Sequence, residues 1–134
     1  MITREADYAI RVMMLLAKRE RLGTGGASSL EIAGEMDIPY RFLRKLVKRM
    51  VVGGMLRSRR GKGGGLTLGR EAAAISLFDV LQIMSPEGTR LSQCETNGEA
   101  CRRAGTCRMH RTIHRIQTSV DHQLREATIA SLVN

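Results

Sequence analysis

Aromatic residues are scarce in this chain of 134 residues: no Trp, two Tyr and two Phe. A β-sandwich core draws heavily on aromatic and β-branched side chains, so the shortage favours packed helices of Leu, Ile, Val, Ala and Met. Proline is also rare, with two copies, and its absence leaves long segments free to be helical. No apolar run is long enough to span a bilayer. The opening MITREADYAIRVMMLLAKRE is broken by charge and reads as an amphipathic helix, not a signal peptide. The expectation is one cytoplasmic domain with no membrane partner. Catalytic patterns are missing as well. No Ser or Cys nucleophile has an obvious base, no carboxylates are paired, and no G-x4-G-K-[ST] phosphate loop occurs, so an enzyme is not expected. Cysteine is limited to three, an odd count that argues against a disulfide framework and for metal or redox chemistry.

One further absence is local. Residues 38–70 contain no Asp or Glu but ten Arg or Lys, within a chain of net charge +9. A merely soluble surface would spread that charge, whereas its concentration points to a polyanion such as nucleic acid.

What is present forms a readable order. Thr3 suits the cap of a first helix, with Ala6, Ile10, Met13, Met14 and Ala17 as its apolar stripe and Asp7 off that stripe. Residues 28–31, SSLE, have the form of a capping box and open a short helix to about Met36. After the turn at Asp37 and Ile38, Pro39 begins a second helix to about Val52. Phe42 or Leu43, Leu46, Val47 and Met50 should face inward, and Arg41, Arg44, Lys45, Lys48 and Arg49 outward. A short helix, a tight turn and a basic second helix is the helix-turn-helix pattern, whose second helix enters the major groove. Residues 55–59 and 65–68 read as two short strands joined by RGKGG. That hairpin is a wing, and it would bring Arg59, Arg60 and Lys62 to the DNA backbone or minor groove. Ser76 suits the cap of a helix over 77–84, and a long helix runs from about Arg108. Its Met109, Ile113, Ile116, Val120 and Leu124 form a narrow apolar seam suited to pairing with a second copy.

The predicted fold is mainly α: a winged helix-turn-helix domain with a two-stranded β wing, plus a long C-terminal dimerisation helix. Residues 1–84 form the DNA-binding part, 85–107 a cysteine-bearing loop, and 108–134 the dimerisation helix and tail, joined in one unit.

The cysteines stand at 94, 101 and 107, spaced C-x6-C-x5-C, with His110 three residues after the last. Thiolates select iron–sulfur clusters, zinc or Cu(I). If a helix has begun by His110, it and Cys107 share a face, giving a Cys3His set. The wide spacings suit a loop around a larger inorganic body, and the short C-x2–4-C knuckle usual for zinc is missing. Cluster, zinc and a metal-free thiol switch all remain open at this point.

Several stretches together resemble the Rrf-two family of bacterial winged-helix regulators, with its IscR-, NsrR- and RirA-like iron–sulfur branches. They are EADYAIR, SLEIAGEMDIPYRFLRKLVKRM, RRGKGGGLTLG, AISLFDVLQIM, the three cysteines and ATIASLVN, covering nearly the whole chain. The resemblance implies a homodimer on a partly palindromic double-stranded operator, with one cluster per subunit on Cys94, Cys101 and Cys107. It also implies two candidates for the fourth ligand. His110 matches the branch with a 2Fe–2S site, and Asp7, from the other subunit, matches the branch with a 4Fe–4S site. Arg44 stands where the IscR-like branch has a glutamate, so that branch's base preference does not carry over. The function implied is a transcriptional regulator, a repressor, sensing iron, redox state or nitric oxide. The alternatives are a thiol- or partner-regulated protein of the same fold, and a nucleic-acid-binding module with structural Cys3His zinc.

Overall fold

The first helix, α1 (Arg4–Arg21), starts at Thr3, whose hydroxyl oxygen accepts from the Ala6 N–H at 3.2 Å. The computed structural model describes residues 2–61, 64–92, 94, 101–103 and 105–134. The inward face of α1 is broader than the stripe read from the sequence. Ala9, Val12 and Leu16 join Ala6, Met13 and Ala17 in the core, while Ile10 and Met14 are only half-buried. The cause is that α1 is covered on more than one side, by α3, α4, α6 and β2 as defined below.

Helices α2 (Ser29–Met36) and α3 (Tyr40–Val52) follow. Ser28 caps α2 by accepting from the Glu31 N–H at 3.1 Å. The reciprocal half of the expected capping box is replaced: the Glu31 carboxylate turns to the Arg19 guanidinium, 3.7 Å away. Asp37 ends α2 in the left-handed region (φ 52°), a conformation Asp tolerates better than most residues, and this makes the turn tight. Pro39 is the cap of α3, one residue before the helix proper. Leu43, Leu46 and Met50 are buried, and Phe42 packs edge-on against Tyr8 at 5.6 Å.

Strands β1 (Leu56–Arg59) and β2 (Gly65–Leu68) pair antiparallel, with Leu56 opposite Leu68 and Arg59 opposite Gly65. Ala27, just before α2, bridges to Leu66 through two backbone hydrogen bonds of 3.1 and 2.7 Å. That bridge explains Gly65. Its φ is 122°, and a Cβ there would lie 2.8 Å from the Ala27 backbone. Part of the glycine run in the wing therefore serves the fold, not a groove.

A 3-10 turn (Ala72–Ala74) leads to α4 (Leu77–Met84), and the chain ends with α5 (Arg108–Glu126) and α6 (Ile129–Leu132). The tail is anchored to the body. Ile129 is fully buried, its N–H donates to the Ile75 carbonyl at 2.9 Å, and the Leu77 N–H donates to the Ala127 carbonyl at 2.8 Å. Fully burying an aliphatic side chain of this size stabilises by roughly 1.5–3 kcal/mol. Val12, Ile32, Leu43, Met50, Ile75, Val80 and Ile129 thus make one core, to which every α-helix except α5 contributes a fully buried apolar side chain.

The capping box absent at α2 is complete at α4. Ser76 Oγ accepts from the Asp79 N–H at 3.1 Å, and Asp79 Oδ2 accepts from the Ser76 N–H at 3.0 Å. Burial alone would push the Asp79 carboxyl up. The hydrogen bonds from Ser76, with the charges of Arg70 and Arg125, outweigh it and hold the group below its ordinary value. A carboxyl depressed in the folded state contributes stability above its unfolded pKa, and that contribution disappears as pH falls through the lower folded value. Asp79→Asn is therefore expected to cost stability at neutral pH, with the gap to the parent protein closing below about pH 4. Urea titrations at several pH values measure this, and a gap constant down to about pH 2 would contradict it.

Candidate nucleic-acid interface and cysteine site

The outer face of α3 carries Arg41, Arg44, Lys45 and Lys48, all exposed. None of the four has a carboxylate within salt-bridge distance among the described residues, so their charge faces outward. Helical spacing puts the inward Leu43, Leu46 and Met50 on the opposite side, which is why the basic face is continuous. The Arg44 guanidinium lies 5.8 Å from the centre of the Tyr40 ring, one turn earlier. Sequence reasoning passes over Tyr40, although its i, i+4 spacing to Arg44 is an available signal. Arg59 and Arg60 are exposed at the end of β1, on the same hairpin. Lys62, expected to act with them, lies outside the described residues.

Arg49 behaves differently from its neighbours. The spacing of α3 points it away from the body, but it donates to Glu5 Oε2 at 2.8 Å and to the carbonyls of Ile83 and Met84, each at 2.9 Å. It thereby satisfies the open end of α4 and ties α3 to the first turn of α1. Sequence alone assigns no such partner to one arginine in a basic run.

Of the cysteines, Cys94 and Cys101 are exposed and Cys107 is half-buried, and all three are free thiols. Cys107 is the cap of α5, its sulfur accepting from the His110 N–H at 3.4 Å. His110 is on the first turn of α5, half-buried, with its ring stacked at 6.2 Å on that of His114. Its Nδ1 is buried and has no hydrogen-bond partner among the described residues. Asp7 is elsewhere, on the first turn of α1, where its carboxylate accepts from Arg11 Nε at 2.9 Å. Among the described residues, no three His, Cys, Asp or Glu side chains converge on one point. The structure thus brings Cys107 and His110 together but does not draw Cys94, Cys101 or Asp7 onto them. The donor set still fits a thiophilic group: three thiols free of disulfides, one at a helix N-terminus, and an imidazole nitrogen left without a partner among the described residues.

The expected apolar seam of α5 is unevenly covered. Ile113, Val120 and Leu124 are half-buried, whereas Met109 is 66% and Ile116 46% exposed. Gln117 is the buried residue of α5, at 2% exposure, and sequence reasoning misses it. No helix among the described residues is long and apolar enough to cross a membrane.

A basic helix held behind a tight turn, with a two-stranded hairpin beside it, is the build of a winged-helix transcription regulator. Comparison with known proteins narrows that class. The family whose description reads "Rrf2: Iron-dependent Transcriptional regulator" matches residues 2–134, and the chain belongs to this family, which is one of regulators and not of enzymes. The HTH-type transcriptional repressor NsrR of Streptomyces coelicolor is 30% identical over 132 residues, covering 98% of this chain and 87% of its own. The HTH-type transcriptional regulator IscR of Yersinia pseudotuberculosis is 27% identical over 133 residues, covering 99% of this chain and 79% of its own. Among solved structures, CymR (YrzC), the global cysteine regulator of B. subtilis, superposes with a TM-score of 0.78 at 26% identity, covering 99% of this chain and 95% of its own.

Proposed function

We propose that this regulator is a homodimeric repressor whose binding to a partly palindromic operator is controlled by an iron–sulfur cluster on Cys94, Cys101 and Cys107. The observation that carries the reading is the pairing of Cys107 at the cap of α5 with a His110 nitrogen that is buried and unpartnered among the described residues. An imidazole nitrogen without a hydrogen bond is costly to bury, and a metal is a natural partner for it. When bound, the cluster supplies a crosslink sensitive to iron, redox state or nitric oxide. Cys94, Cys101 and Cys107 hold it, and His110 completes the set from the same chain. Asp7 of a second copy is the other candidate, and it would have to leave Arg11 to serve.

The remaining roles fall to the described surfaces. Arg44 reads bases in the major groove, where a guanidinium pairs with guanine O6 and N7. Arg41, Lys45 and Lys48 hold phosphates, and Arg59, Arg60 and Lys62 extend the contact from the wing. Met109 and Ile116 meet a second copy of α5, which spaces the two recognition helices. A ligand in the 85–107 segment acts only through its different affinity for the two spacings.

The fourth ligand is tested by substitution. His110→Ala is expected to lower cluster content and alter its spectrum, and Asp7→Ala to leave both unchanged. Iron and sulfide analysis with absorption spectra measures this, and the reverse pattern would assign the site to Asp7.

A second reading is favoured by two observations: the three thiols do not converge among the described residues, and a global cysteine regulator shares the fold. In that reading the same protein responds through bare thiols or a protein partner. Anaerobic purification decides between them. A brown protein with thiolate-to-iron charge-transfer absorption supports the cluster. A colourless one with full thiol titre supports the thiol reading, and stoichiometric zinc without iron would mark a structural Cys3His site.

A further inference from the structure

Gln117 is the polar side chain that α5 buries, and both of its amide N–H groups are used. Nε2 donates to the Thr89 carbonyl and to Asp121 Oδ1, each at 2.7 Å, and Oε1 accepts from the Leu91 N–H at 2.8 Å. A buried amide without partners is strongly destabilising, so this set of bonds is what permits a Gln in that position. Thr89 is itself buried, at 7% exposure, and its hydroxyl oxygen accepts from Gln82 Nε2 of α4 at 3.1 Å. One side chain thus joins the backbone at residues 89 and 91 to the middle of α5, and through Thr89 to α4.

The position of this clamp in the chain gives it a consequence. Residue 91 is three residues before Cys94, and Gln117 is seven residues after His110, about 10 Å along the helix axis. Cys94 therefore stands three residues beyond a backbone pinned to α5, and Cys107 caps the N-terminus of that same helix. We propose that Gln117 is a positioning residue of the cysteine site: by pinning residues 89 and 91 to α5 it sets the point from which the chain departs toward Cys94, and so the reach of that thiol toward Cys107 and His110. Residues that orient metal ligands without touching the metal commonly matter about ten- to a hundredfold in affinity. The cofactor's identity rests on the function proposed above; the clamp's action on the thiols does not.

The test uses the full-length protein freed of metal, with cadmium ion alone as the probe of the assembled thiols. Gln117→Leu keeps a similar side-chain volume and removes the bonds. It is expected to weaken cadmium binding about tenfold, the lower end of such effects, and to abolish exchange protection of the Leu91 amide. Thr89→Val keeps the carbonyl that Gln117 uses, and should bind cadmium as the parent does. Ile129→Ala, a core change at a residue outside the clamp's hydrogen bonds, should lower thermal stability without altering cadmium affinity. The proposal is overturned if Gln117→Leu binds cadmium as tightly as the parent, or if Ile129→Ala weakens it equally, which would reduce the effect to general destabilisation. If the native protein carries no cluster but the Gln117→Leu effect persists, the cofactor reading fails and the clamp stands. A cluster in the native protein with no Gln117→Leu effect would sink the clamp and leave the cofactor reading standing.

Discussion

Cys107→Ser is expected to remove the chromophore while leaving the fold intact. Serine is among the preferred N-cap residues, so its hydroxyl can take the place of the sulfur that now accepts from the His110 N–H. The loss of folding stability should stay within about 1 kcal/mol, the usual worth of a cap. Ligation is a separate matter, because a neutral hydroxyl is a poor ligand for iron where a thiolate is a strong one. Iron and sulfide should fall to background, and operator affinity should no longer respond to oxidant or nitric oxide. Iron analysis, a thermal melt and DNA titrations with and without oxidant measure the three effects together. Cys94→Ser should match the chromophore loss with less effect on α5, because it leaves the Cys107 cap in place. A Cys107→Ser protein that keeps its colour would remove Cys107 from the site.

Arg44→Ala is expected to weaken operator binding by about 1–3 kcal/mol, roughly 5- to 150-fold, and to relax sequence preference. The basis is its exposed place on α3, supported by the Tyr40 ring one turn away. Lys45→Ala should act in another way, weakening binding to every sequence alike and reducing the slope of log affinity against log salt by about 1. Titrations of operator and scrambled duplexes at two salt concentrations separate the two. Equal losses on both duplexes for Arg44→Ala would demote it to a phosphate contact.

How much of this is legible in the sequence depends on how local the determinant is. The helix-turn-helix is readable because Ser28, the turn at Asp37 and the basic spacing of α3 act within a few residues. The wing is readable from its glycines, but the reason for Gly65 is not, because the Ala27 backbone that crowds it is distant in the chain. Arg49 looks like any other arginine in a basic run, since its partners Glu5, Ile83 and Met84 come from two other helices. The sequence presents the seam on α5 as one stripe at 109, 113, 116, 120 and 124. Folding covers it unevenly, with residues 113, 120 and 124 half-buried and residues 109 and 116 exposed. The spacing 113, 117, 120, 124 places Gln117 on the inward face, but its polar character hides it. For the cysteine site, chemistry is visible in the residue types, while convergence depends on contacts that no spacing encodes.

Control of the recognition helices by a cluster on Cys94, Cys101 and Cys107 is open to measurement. Its most direct test is the absorption and Mössbauer spectrum of protein isolated without oxygen, recorded beside an operator titration of the same sample before and after cluster removal. Cluster control requires one cluster per chain, thiolate-to-iron bands, and an operator affinity that changes when the cluster is removed. Colourless protein with full thiol titre, or a clustered protein whose operator affinity is the same after removal, would contradict it.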